Sequence, residues 1–198
     1  MRCHGSPCPK HKKKFPLCYR KYSMHSLYTG ITQSGKTTLA REHSRALHAK
    51  GQKVIVYDPV MTATKGGEWG CDVITDNFDD LHNYLIDHHV KKQQAAHIFI
   101  DEAGELFGVG QKENHWLTTR GRHYGLFVNL ICQRPKMLAP TARTQCGRGY
   151  VFRLAPGDLD EVGEDFGHGQ LGKTLLDKGD YLVLTSGSLA IERFNCFK

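Results

Sequence analysis

Gly30-Ile31-Thr32-Gln33-Ser34-Gly35-Lys36-Thr37 decides how this chain is read. It fits G-x-x-x-x-G-K-[ST] at every fixed position. Its surroundings matter as much as the match, because a strand is expected just before it, over Ser23–Tyr28, and a helix just after it, over Lys36–Ala49. Glycines at both ends let the backbone wrap around phosphate oxygens with its N–H groups turned inward. The start of the helix adds about half a positive charge of dipole. Gly30, Thr32, Gln33, Ser34, Gly35, Lys36, Thr37 and Thr38 are therefore the expected contacts to a nucleotide. Within that set Lys36 reaches the β- and γ-phosphates, and the Thr37 hydroxyl is a ligand for Mg²⁺.

The next feature downstream is His97-Ile-Phe-Ile-Asp101-Glu102, a buried-type strand that ends in two acids. An acid at the C-terminal end of a parallel strand stands at the ligand edge of the sheet. Asp101 is placed to hold Mg²⁺. Glu102 is placed to polarise an attacking water, the feature that separates ATPases activating water from P-loop kinases. Glu105 reads as a surface residue. A third strand, Leu126–Cys132, ends in Gln133-Arg134-Pro135, so Gln133 can touch the γ-phosphate. Arg120-Gly-Arg122-His-Tyr-Gly125 precedes that strand. A guanidinium suits charge spreading on a transferring phosphoryl group. The residues alone leave Arg120, Arg122, Arg143, Arg148 and Arg153 as alternatives for this role.

The rest of the chain supplies the frame. In the first helix Leu39, His43, Ala46 and Leu47 fall on one face, and Gly51 stops it. Strands are expected at Lys53–Tyr57, Asp72–Thr75, Tyr150–Leu154, Tyr181–Thr185 and Ala190–Phe194. Helices are expected over Asn77–Val90 with Asp76 as N-cap, over Asn114–Arg120, and over Asp158–Phe166. This alternation predicts an α/β fold with a mostly parallel sheet covered by helices on both faces. The fold class it points to is a P-loop NTPase core of the additional-strand, catalytic-glutamate (RecA-like) type.

With 198 residues, 39% hydrophobic and 24% charged, the chain suits one globular domain. The net charge of +7 is unevenly placed. Residues 1–21 hold Arg2, Lys10, Lys12, Lys13, Lys14, Arg20 and Lys21, the first acid is Glu42, and beyond that segment cations and anions balance. The reading is a basic, flexible segment over 1–22 followed by a single P-loop domain over 23–198. A basic tail attracts polyanions in a salt-dependent way; a solvated tail without a specific partner accounts for it as well. No apolar run is long enough for a membrane span, and the N-terminus lacks the apolar stretch of a signal peptide. The seven cysteines are scattered, odd in number and suited to a reducing compartment. The spacing of Cys3, Cys8, His11 and Cys18 is not that of a standard zinc knuckle. His82, His88 and His89 read as a solvated helix face. Lys65, Trp69 and Lys112 read as loop residues able to touch DNA, and Trp116 as a packing residue.

The segments GITQSGKTTLA, VIVYDP, IFIDEAGELF, GRHYGLFVNLICQRP and TQCGRGYVFRL, in this order over about residues 24–185, resemble the FtsK–HerA superfamily of DNA-pumping ATPases. The minimal size looks like the genome-packaging ATPases of icosahedral, membrane-containing prokaryotic viruses. The resemblance implies ATP and Mg²⁺ as cofactors and double-stranded DNA as partner. It also implies a homo-oligomeric ring, with a hexamer expected, and capsid or portal vertex proteins as further partners. The location it implies is the host cytoplasm or the packaging vertex of the virion. Arg122 occupies the position of the family's trans-acting arginine and Gln133 that of its polar sensor, while Arg153 matches an arginine of the following strand. A filamentous-phage assembly ATPase is the nearest alternative, but such proteins carry a membrane segment. A deoxynucleoside kinase of the thymidine kinase type is another, but it uses C-x-x-C zinc ligands that this chain lacks.

Overall fold

The computed structural model describes residues 24–60 and 68–198. The basic segment over 1–22, the cysteine and histidine set within it, Ser23 and Lys65 lie outside the described residues. The strands are β1 (His25–Thr29), β2 (Val54–Tyr57), β3 (Val73–Thr75), β4 (Ala96–Ile100), β5 (Leu126–Cys132), β6 (Cys146–Val151), β7 (Asp180–Thr185) and β8 (Glu192–Asn195). The α-helices are α1 (Lys36–Ala49), α2 (Phe78–Leu85), α3 (Trp116–Thr119), α4 (Pro140–Arg143) and α5 (Pro156–Phe166).

All eight strands form one sheet in the order β3-β2-β4-β5-β1-β6-β7-β8. The six strands from β3 to β6 in that order are mutually parallel, and β7 and β8 add an antiparallel edge. β5 stands between β1, which leads into the phosphate loop, and β4, which ends in the two acids. That is the additional strand expected of the fold class. All three strands bring their C-terminal ends to the same edge, so Gly30, Asp101 and Gln133 start their loops side by side.

The central strands are buried along their whole length, as a sheet covered on both faces requires. Alternation sorts their side chains. Leu27, Ile55, Ile98, Ile100, Val128 and Leu130 pack with α2 and α5 residues such as Leu81, Leu85, Leu159 and Val162. Tyr28, Val54, Val56, Phe99 and Ile131 pack under α1 through Leu39, Ala40 and Leu47. Each fully buried large aliphatic or aromatic side chain contributes about 1.5–3 kcal/mol. No helix among the described residues is long and apolar enough to cross a membrane.

Several local expectations are corrected. The inward face of α1 uses Ala40 and Ser44, whereas Ala46 is exposed. The Ser44 hydroxyl donates to the Trp69 carbonyl, which makes its inward position tolerable. Asn77, not Asp76, caps α2: its Oδ1 accepts from the N–H groups of Asp79 at 2.9 Å and Asp80 at 3.2 Å. The helix then widens into a π-turn over Ile86–Val90, which turns His89 inward to 2% exposure instead of onto a solvated face. The segment before β5 is broken into 3₁₀ turns over Lys112–His115 and Gly121–Tyr124 around the short α3. β6 starts at Cys146, four residues before its predicted start and before two glycines that weaken the strand signal. Trp69 is not a surface loop residue: it is 1% exposed, its indole N–H donates to Asp58, and Arg41 lies over its ring. Trp116 packs against the core as read.

Candidate nucleotide site

The phosphate loop is shaped by two glycines for two reasons. A Cβ on Gly30 would lie 2.5 Å from the Phe152 Cβ and 2.7 Å from the Ser34 hydroxyl, so only glycine fits where the chain leaves β1. Gly35 has φ +110°, in the range L side chains rarely adopt, and it serves as the N-cap of α1. Gln33 also takes a positive φ of 61°, which completes the curl. The loop is tied from outside by Ile31 N–H donating to the Arg153 carbonyl at 3.0 Å, and by Gly179 N–H donating to the Ser34 carbonyl at 3.1 Å. The segments that follow β6 and precede β7 thus buttress the cradle through main-chain contacts. Lys36 is buried, Thr37 half-buried, and Thr32, Gln33 and Thr38 exposed.

Asp101 and Glu102 follow β4 directly. Burial, together with the nearby charges of Asp58 and Glu102, pushes the Asp101 carboxyl up to about 6. Its Oδ1 accepts from the Glu102 N–H at 3.0 Å. Glu102 itself has φ 48° and ψ 40°, a left-handed conformation uncommon for glutamate and a mark of strain at functional positions. The consequence is geometric: the chain turns sharply after Asp101, and the Glu102 side chain faces β5. There Gln133 Nε2 donates to Glu102 Oε1 at 3.4 Å, and Thr32 Oγ1 donates to Gln133 Oε1 at 3.4 Å. The phosphate loop, Gln133 and Glu102 are therefore linked side chain to side chain. Glu105 is exposed, as read.

No motif singles out Asp58, yet it belongs here. It ends β2 as Asp101 ends β4, is 6% exposed, and raises the Asp101 pKa. The signal was present: an acid directly after the buried run KVIVY obeys the same strand-end logic that selected Asp101.

The donor set suits Mg²⁺. No group of three or more His, Cys, Asp or Glu side chains placed to hold a metal occurs among the described residues. A hydroxyl at Thr37 and a carboxylate at Asp101 are what an ion needs when phosphates and waters complete its shell. The acids crowding Asp101 favour a cation beside it.

The arginines separate cleanly. Arg143 is 5% exposed and is held by Asp165, by Glu161 and by the Pro135 carbonyl, so it is a structural residue. Arg148 faces a cavity under α1. Arg153 is exposed next to the cradle that its carbonyl supports. Arg120 and Arg122 are exposed at the start of β5. β5 has seven residues, which places Arg122 about 20 Å from the Gln133 end, so it cannot meet a nucleotide on its own phosphate loop. Lys112 is exposed on its 3₁₀ turn.

Comparison with solved structures identifies the architecture. The genome-packaging NTPase B204 of Sulfolobus turreted icosahedral virus 2, solved with AMPPCP, superposes with a TM-score of 0.68 at 22% identity, over 86% of this chain and 96% of that one. The fold is that of a P-loop NTPase. B204 from Sulfolobus turreted icosahedral virus, described as a DNA-packaging ATPase, gives 0.70 at 20% identity with the same coverage. The pCW3 conjugation coupling protein TcpA, solved with ATPγS, gives 0.66 at 20% identity over 87% of this chain and 60% of that one. No protein-family model matches the sequence, and no curated protein matches it significantly. The match extends across nearly the whole length of B204.

Proposed function

We propose that this protein is an ATP-hydrolysing motor that translocates double-stranded DNA and packages a viral genome into a preformed capsid. The observation that carries the hydrolytic part is the Thr32–Gln133–Glu102 chain, which joins the phosphate loop to the acid that activates water. Lys36 and the loop N–H groups hold the β- and γ-phosphates. Mg²⁺, held by Thr37 and Asp101, supplies neutralisation of the phosphate charge when bound. Glu102 orients a water and takes its proton as the water attacks the γ-phosphorus, while the bond from that phosphorus to the β,γ-bridging oxygen breaks and ADP leaves with its electron pair. Loss of the γ-phosphate releases Gln133 from its contact, and this is how hydrolysis is reported to β5.

The DNA and packaging parts rest on the likeness to B204 and TcpA and on the sequence resemblance. The position of Arg122, remote from its own phosphate loop, supports a ring, with six subunits expected, in which it reaches the nucleotide of a neighbour. Such an arginine is worth about 10³–10⁵ in rate. DNA contacts fall on phosphates, because packaging must not depend on sequence. Capsid or portal vertex proteins are the docking partners, in the host cytoplasm or at the virion vertex. The test is ATP-dependent displacement of a triplex-forming strand from duplex DNA. Displacement with ATP, and none with a non-hydrolysable analogue, is expected. ATP turnover without any displacement, in the presence of a capsid vertex preparation, would overturn translocation.

A further inference from the structure

The sheet face under α1 should be apolar, yet its centre is polar and hollow. Asn129 on β5, Ser26 on β1 and Arg148 on β6 stand side by side in cross-strand register. Together with His43 and His97 they line a cavity of about 200 Å³ beneath the C-terminal half of α1. The cavity is at the sheet edge opposite the phosphate loop, since Ser26 and His97 begin their strands. None of its lining residues is acidic.

Three polar side chains facing this cavity, Arg148, Ser26 and His97, have no hydrogen-bond partner among the described residues. Arg148 is half-buried, makes no hydrogen bond or ion pair among the described residues, and its Nε is fully shielded without a partner. Ser26 and His97 are 8% and 4% exposed, and neither makes a side-chain hydrogen bond among the described residues. His43 is engaged through Nδ1 with the Tyr28 hydroxyl at 2.8 Å. The Tyr28 and Tyr150 rings stack at 4.5 Å and form an aromatic wall. A guanidinium partly withdrawn from water without a counter-charge carries a cost, and a shielded, unsatisfied Nε calls for an explanation. Burial, helped by the charge of Arg148, holds His43 in its neutral form.

We infer that this cavity is a binding site for a small organic phosphate. One phosphoryl group sits on Arg148 and Ser26, which are cross-strand neighbours, and an apolar or aromatic body lies against Tyr28 and Tyr150. Arginine presents a planar fork of donors matched to phosphate oxygens, and the Ser26 hydroxyl adds a donor to a remaining oxygen. The space exceeds that of the engineered cavity of about 150 Å³ that admits benzene, so a ring and a phosphate fit together. This site is separate from the nucleotide cradle and does not depend on the motor reading.

The test uses phenyl phosphate as probe on the full chain carrying Lys36→Ala, so that the phosphate loop contributes little. The imidazole NMR signals of His43 and His97 are followed during titration, because both lie on the cavity and far from the loop. Both signals should move along one saturable curve, and Arg148→Gln should weaken that binding about tenfold or more. Signals that stay still, or that move equally in Arg148→Gln, would overturn the site. Ser26→Asp gives an independent reading, because it sets a carboxylate directly opposite Arg148. It should raise the melting temperature of the ligand-free protein and remove the response to phenyl phosphate. A lower melting temperature in Ser26→Asp would show that Arg148 lacks no counter-charge, and would contradict the inference.

Discussion

Gln133 Nε2 lies 3.4 Å from Glu102 Oε1, across the gap between the ends of β5 and β4. The contact crosses 31 residues of sequence and exists only because parallel strands β4 and β5 are adjacent. It makes Gln133 a positioning group for the acid as well as a group within reach of the phosphate loop. Gln133→Ala should leave ATP binding within a few-fold of the parent and lower turnover on the order of 10²-fold, as for loss of one preorganised polar contact. Equilibrium binding of a fluorescent ATP analogue, beside steady-state phosphate release, checks this. Equal losses in both would assign Gln133 to ground-state binding.

The opposite placement of Lys36 and Arg122 on the sheet makes a complementation experiment decisive. Lys36→Ala and Arg122→Ala proteins should each be inactive, Lys36→Ala through loss of phosphate binding, Arg122→Ala with ATP binding retained. Mixed in equal amounts they should recover part of the turnover, because some interfaces then pair an intact cradle with an intact arginine. Absence of recovery in rings shown to contain both variants would remove Arg122 from the neighbour's site.

Asp101 carries a pH signature. Its carboxyl is raised to about 6 from about 3.9 in the unfolded chain, so the native state binds the extra proton between those values. In the ligand-free protein, stability from this group therefore falls as pH rises from about 4 to 6. The shift corresponds to roughly 2–3 kcal/mol. Asp101→Asn removes that cost and should raise the melting temperature at pH 7.5 while abolishing Mg²⁺-dependent turnover. In the parent protein, turnover at low Mg²⁺ should fall with a midpoint near pH 6, and more Mg²⁺ should move the midpoint down. Calorimetry and a pH–rate profile at two Mg²⁺ levels test both halves.

Three histidines act in the other direction. His25, His43 and His97 are each lowered to about 4, mainly by burial, with Arg122 adding to the effect on His25 and Arg148 on His43. His25 Nδ1 accepts a hydrogen bond from the Val128 N–H at 2.9 Å, a bond that protonation of Nδ1 would destroy. Because their native pKa values lie below the unfolded value of about 6.5, their stabilisation is present above pH 6.5 and is lost as pH falls to 4. Three such groups outweigh the opposing trend of Asp101. The melting temperature should drop steeply between pH 6.5 and 4, and His97→Phe, which pairs with Phe127 across the strands, should flatten that drop. A melting temperature indifferent to pH over this range would contradict the neutral assignment.

The sequence disclosed the parts whose signal is local. The Gly30–Thr37 cradle is a fixed spacing, the acids Asp101 and Glu102 end a run of β-branched and aromatic residues, and both stand where they were expected. It misplaced elements whose limits depend on context. Asp76 and Asn77 are both good caps, and only the extended backbone at Asn77 chooses between them. Gly147 and Gly149 hide the start of β6, because their value lies in letting Met24 and Phe166 approach closely, which no periodicity records. Trp69 looked like a loop residue because it follows glycines, and its burial depends on Asp58 and Arg41 from other elements. The pairing of Gln133 with Glu102, and the separation of Arg122 from Lys36, follow from strand order alone.

The central claim is that ATP turnover at this cradle drives a DNA motor. The direct measurement is Mg²⁺-dependent phosphate release by the purified protein with and without duplex DNA of unrelated sequences, beside Lys36→Ala. Turnover should rise with every duplex tested and vanish in Lys36→Ala. Turnover that is unchanged by DNA, or that survives Lys36→Ala, would contradict it.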